Sequence, residues 1–193
     1  MSARAQLVER TDTDHDGTVA ATVVVVVGSV LLALRPLSDV TSETRVVMFG
    51  ATYLTIGLAS IAVPVGRDRS HISPVAAFVV GVAAMLLTAW IAGPAVPAPW
   101  SVAALPLSLL AAVAEEALFR RVAFARLERF GAVVAIAGSA MLFGMVHVPA
   151  YGAAALPVDI GAGLLFGWQR WASGTWTVPA ATHAFANAVV ILR

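Results

Sequence analysis

Two adjacent carboxylates, Glu115 and Glu116, interrupt an otherwise apolar stretch, and Arg120 follows four residues after the second. Residues four apart share a helix face, so Glu116 and Arg120 are placed to pair. The corresponding position after Glu115 is Phe119, which leaves that acid without such a partner. Further on, His147 lies four after Phe143, and Asn187 lies four after His183, each pair again on one face. A carboxylate and an imidazole together can hold and deprotonate a water molecule. An imidazole and a carboxamide can stabilise the oxyanion of an attacked carbonyl. Glu and His side chains can equally hold zinc or another divalent metal with one position open for water; Glu115, His147 and His183 are the candidate ligands. Both routes lead to hydrolysis of an amide or ester.

The elements that carry these groups belong in a bilayer. Of 193 residues, 60% are hydrophobic and 12% charged, and the mean hydropathy is +0.88. A soluble domain is about 25% charged and needs polar cover over its outer shell. A soluble globular domain is therefore excluded, and so is a disordered chain. Seven apolar runs are candidate spans: about 18–34, 46–66, 75–96, 101–118, 132–148, 156–168 and 176–192, the sixth being short and carrying Asp159. None alternates with period 2, as barrel strands would. The expectation is an all-α, polytopic transmembrane bundle of about seven spanning helices. It forms one integrated membrane domain: a cytoplasmic tail (1–17), a three-helix scaffold (18–100) and a helical core that holds the chemistry (101–193).

The polar residues support that division. The first three runs hold no acid, base or imidazole; the last four hold or adjoin Glu115, Glu116, Arg120, His147, Asp159, His183 and Asn187. A charge at the centre of a spanning helix costs roughly 2.5–3.5 kcal/mol on insertion scales, so a cluster of them needs partners and marks a functional site. Depth is the harder condition. If the fourth helix ended at Leu118, Glu115 and His147 would lie near opposite surfaces. Residues 119–129 contain no Gly or Pro, however, and Gly131 is the first breaker. If the helix continues and turns at Phe130–Gly131, Glu115 and His147 both lie ~22–25 Å from the turn at ~1.5 Å per residue, at one level. His183 and Asn187 reach that level from the last helix.

All 12 cationic residues are Arg. With seven spans, nine fall on the N-terminal side of the membrane and three (Arg35, Arg45, Arg193) on the other, which predicts a cytoplasmic N-terminus. No basic stripe with interleaved aromatics points to nucleic acid. No Cys is present, which excludes thiolate nucleophiles, disulfides and Cys-ligated metals. Asp12, Asp14, Asp16 and Gly17 begin like a calcium loop, but its twelfth position is Val23, not an acid, and the run reads as a solvated acidic tail.

Glu115-Glu116-Ala-Leu-Phe-Arg120, Phe143-Gly-Met-Val-His147 and His183-Ala-Phe-Ala-Asn187 read as EExxxR, FxxxH and HxxxN in order on hydrophobic helices. Together they resemble the CPBP family of intramembrane proteases, which includes the type II CAAX prenyl endopeptidases and bacteriocin-processing, Abi-like proteins. The resemblance covers about residues 101–193. It implies an integral membrane endopeptidase cutting a membrane-associated protein or peptide, by a metal-dependent or a glutamate-type mechanism. Glu115 would be the general base, Glu116 its neighbour and Arg120 the pairing group. His147 would position the water or bind metal, and His183 and Asn187 would complete a metal or oxyanion site.

Plainer roles compete for several of these residues. Glu116 with Arg120 could be only a neutralised structural pair, and Phe143 packing. Asp159 fits a helix start better than a catalyst. Gly163 and Gly167 form a GxxxG helix-packing pattern. A single Asp in the later runs rules out an aspartyl dyad, Ser139 has no nucleophile motif around it, and no HExxH is present. The competing class is non-enzymatic: a membrane scaffold, or a small proton- or ion-coupled transporter using the buried acids.

Overall fold

A computed structural model describes residues 3–35, 42–66, 69–91 and 104–192. Outside them lie the expected end of the third run, the start of the fourth, Arg4, Arg10 and the acidic run as side chains, and Arg67 and Arg193. The described chain is all-α. Its helices are α1 (Ala3–Leu34), α2 (Ser42–Ala62), α3 (Pro74–Ile91), α4 (Leu105–Glu116), α5 (Phe124–Leu127), α6 (Ala132–Tyr151), α7 (Leu156–Ser173) and α8 (Thr177–Leu192). A π-helical segment, Ala117–Ala123, joins α4 and α5 into one rod, so the described residues form seven rods.

Local chemistry sets the boundaries. Pro106 and Pro157 open α4 and α7, where a missing N–H costs nothing. Gly131 and Gly152 bound α6 at φ 103° and 78°, conformations that Gly adopts without a steric penalty. α1 begins at Ala3, well before its apolar run, so the backbone of the expected tail is helical.

Among the described residues, four helical stretches are long and apolar enough to cross a membrane: Gly17–Leu34, Glu43–Ala62, Pro74–Ile91 and Ala132–Tyr151. The protein is an integral membrane protein with several membrane-spanning helices. Only 11–17% of each of the first three stretches is buried, against 39% of the α6 stretch. α1 to α3 thus turn most of their Val and Leu outward, as lipid-facing helices do, and α6 is central.

α6 packs chiefly on α7, and α4 on α8 and α2. The α6–α7 seam is made by small residues: a Cβ on Gly163 would meet Ala140 Cα at 2.9 Å, and one on Gly167 would meet Ile136 Cα at 3.2 Å. GxxxG therefore acts here as the packing device its spacing suggests. Long polar side chains tie in the outer helices. Arg121 donates to the Ser60 and Val63 carbonyls at the end of α2. Arg126 reaches α1 at Gly17 O (2.6 Å) and Thr18 Oγ1 (3.2 Å). Gln169 of α7 bridges Ala77 O (2.9 Å) and Thr182 Oγ1 (2.8 Å), joining α3 and α8.

Gly163→Ala is expected to destabilise the fold by about 1–3 kcal/mol, because the added methyl meets backbone that cannot rotate away. Unfolding of the purified variant in detergent measures this.

Candidate active site

The rod from Leu105 to Leu127 continues past Leu118, and a tight turn at Glu128–Phe130 ends it at Gly131. Glu115 and His147 accordingly arrive at one level, with Glu115 Oε2 3.7 Å from His147 Nε2. The rod is not a plain α-helix. In the π-helical segment the Phe124 N–H reaches back five residues to Phe119 O. The Arg120 carbonyl accepts instead from Arg170 Nε of α7 at 2.9 Å. Such wide turns are frequent at functional sites, and this one starts directly after the acid pair.

Two acid–imidazole pairs result. In the first, His147 Nδ1–H donates to Phe143 O four residues back at 2.7 Å, which turns Nε2 toward Glu115. A separation of 3.7 Å is too long for a direct hydrogen bond but fits one bridging water. Tyr151 stacks on the His147 ring at 5.8 Å and 10°. Arg35, at the end of α1, donates to Glu115 Oε1 at 3.2 Å and also bonds the Tyr53 hydroxyl of α2.

In the second pair, His183 Nδ1 donates to Glu116 Oε1 at 3.0 Å. The same oxygen accepts from Arg120 Nη1 at 3.1 Å. Arg120 has no exposed surface; its Nη2 donates to Gly163 O at 3.1 Å, and its guanidinium lies 4.6 Å from the Phe143 ring centroid and 5.3 Å from that of Phe166. Phe143 stands between the pairs, 4.6 Å from the His147 ring and 5.7 Å from that of His183.

Asn187 donates to Ser108 O of α4 at 3.2 Å, so its amide nitrogen fastens α8 to α4. Asp159 lies in the first turn of α7, as its helix-start reading requires. Zinc needs three or four donors about 2.0–2.3 Å from one point. Among the described residues no three His, Asp or Glu side chains meet in that way. Glu115, His147 and His183 share a neighbourhood but not a ligand shell, since His183 is turned to Glu116.

Spacing alone did not announce Arg35, Tyr53 or Tyr151. Arg35 follows the first apolar run and reads only as a boundary charge; its pairing with Glu115 spans 80 positions and leaves no local signal. Through Arg35, which also bonds Tyr53 of α2, the end of α1 thus reaches Glu115.

Residues 97–189 match the family described as type II CAAX prenyl endopeptidase Rce1-like. Over that stretch the chain belongs to the CAAX-protease family. All three motifs fall inside the match, and Arg35 and Tyr53 fall outside it. Comparison with curated proteins and with solved structures gives no significant match. The CAAX-protease-like fold carries buried Glu–His pairs consistent with a glutamate/histidine-type intramembrane protease mechanism.

Breaking one side of a buried ion pair strands the other charge and costs about 3–5 kcal/mol. Arg120→Met and Glu116→Gln are each expected to destabilise by that order. The double variant should lose clearly less than the sum, as a double-mutant cycle of unfolding in detergent will report.

Proposed function

We propose that the chain is an intramembrane endopeptidase that hydrolyses a peptide bond in a membrane-associated protein or peptide. One observation carries this reading: the buried Glu115 Oε2 and His147 Nε2 face each other across 3.7 Å, with the far nitrogen of the imidazole committed to Phe143 O. A water seated between them can donate one hydrogen to each. As its oxygen attacks the scissile carbonyl carbon, Glu115 takes the proton and the carbonyl electrons move onto oxygen. His183, when protonated on both nitrogens, is oriented through Nδ1–H by Glu116 and offers Nε2–H to that oxyanion. Glu115 then returns the proton to the departing nitrogen as the C–N bond breaks, leaving a carboxylic acid and an amine. Glu116, balanced by Arg120, serves to orient His183. Asn187 acts from the last helix by holding His183 at depth.

In the membrane, this reading has all seven rods crossing or entering the bilayer. Residues 18–100 serve as scaffold and 101–193 as catalytic core, and the N-terminus is cytoplasmic, as the Arg distribution favours.

Two measurements test the proposal. Glu115→Gln and His147→Ala should each lower proteolysis by purified protein in detergent at least about a hundredfold; robust cleavage surviving both removes these residues from the mechanism. For orientation, the chain has no native Cys, so single thiols are clean reporters. Ala153→Cys should react with a membrane-impermeant maleimide on intact cells, and Arg129→Cys only after permeabilisation; the reverse pattern inverts the topology.

A further inference from the structure

We propose that Arg35 is the positioning residue of Glu115, so that the active centre is completed by α1 and α2, from outside residues 97–189. This rests on the protease reading above and adds to it a part that the matched stretch does not contain.

The guanidinium is fixed before it meets the acid. Arg35 Nε donates to Leu32 O of its own helix at 2.8 Å. Nη1 bonds the Tyr53 hydroxyl, and the guanidinium carbon lies 5.2 Å from the Tyr53 ring centroid. Tyr53 is itself buried in the main core beside Leu32 and Ile56. From this mount Nη1 reaches Glu115 Oε1 at 3.2 Å and leaves Oε2 toward His147. The terminal torsion of a glutamate is broad and soft. Holding one oxygen fixes the other, and the fixed one is the oxygen that must take the water's proton.

The contact is not needed simply to dock α1. That helix is already tied near its middle by Arg126 on Gly17 O and Thr18 Oγ1, and Gly28 lies against Leu118. Those contacts stay clear of both acid–imidazole pairs, whereas the Arg35 contact alone ends on the base. Nor does the geometry resemble a latch, because the guanidinium engages Oε1 and not the oxygen facing the imidazole.

The experiment compares the full chain with its variants in detergent, on a peptide that the wild type cuts. Arg35→Gln should lower kcat about 10- to 100-fold, the scale of a misplaced catalytic group, with KM changed less than about twofold. Arg35→Lys should keep part of the lost rate, since it retains the charge but not the fork. Tyr53→Phe should lose less than Arg35→Gln in the same direction. Guanidinium ion at non-denaturing concentration should restore part of the rate to Arg35→Ala, which a purely structural role would not allow. Wild-type kcat in Arg35→Gln alongside a dead Glu115→Gln overturns the positioning role and leaves the protease reading intact. A raised kcat marks a latch, and a raised KM at constant kcat marks a substrate contact; either also overturns it. An active Glu115→Gln removes the protease reading and this proposal together. If Arg35→Gln does not fold, Arg35→Lys and Tyr53→Phe decide, and unaltered kcat in both overturns the proposal.

Discussion

A guanidinium without any access to solvent draws partners from several sides, and the centre of this bundle is organised around that demand. Arg120 is such a group. Its charge is met by Glu116, one of its amino groups by the Gly163 carbonyl, and its flat faces by Phe143 and Phe166. These partners come from three helices: Glu116 from α4, Phe143 from α6, and Gly163 and Phe166 from α7. Desolvating an ion pair is repaid only when the geometry is good, and here Arg120 Nε and Glu116 Oε2 still stand without a hydrogen-bond partner. The helices are therefore constrained in depth as well as in rotation. The same constraint delivers the chemistry, because Glu116 also holds His183, and Phe143 contributes the carbonyl that orients His147.

Much of this was legible in the sequence. EExxxR predicted the Glu116–Arg120 pair because the helical repeat puts the fourth residue on the same face, and the distance between them is 3.1 Å. The run without Gly or Pro up to Gly131 predicted a rod reaching beyond Leu118, which brings Glu115 and His147 to one level. The π-helical turn was not legible, since its composition is that of an ordinary helix; only the shift of the Phe124 N–H onto Phe119 O reveals it. Arg35 and Tyr53 were missed for a different reason. Spacing rules describe neighbours on one helix, and the Arg35–Glu115 contact joins two helices far apart in the chain.

In the candidate metal set, residue type and side-chain orientation make separate demands. Glu115, His147 and His183 are good zinc donors by chemistry and lie in one region by depth. The Phe143 ring stands between the two imidazoles, and each acid is matched to its own histidine. Asn187 is similar: its type suits oxyanion stabilisation, and one of its two N–H donors goes to the Ser108 carbonyl. Motif membership placed these groups near the site, and the hydrogen bonds distinguish what each does there.

The glycine seam between α6 and α7 has a mechanical side. Where two backbones touch through Gly163 and Ala140, no flexible side chain lies between them to absorb a sliding motion. The two helices behave as one stiff plank, which carries His147 and the carbonyl under Arg120 together. The compliant joints are elsewhere, in the arginine tethers that fasten α1 and α2, because long side chains can stretch and re-aim while their hydrogen bonds persist. Deformation of the surrounding lipid is thus taken up first at the rim of the bundle, while the spacing of His147 and the Gly163 carbonyl stays fixed.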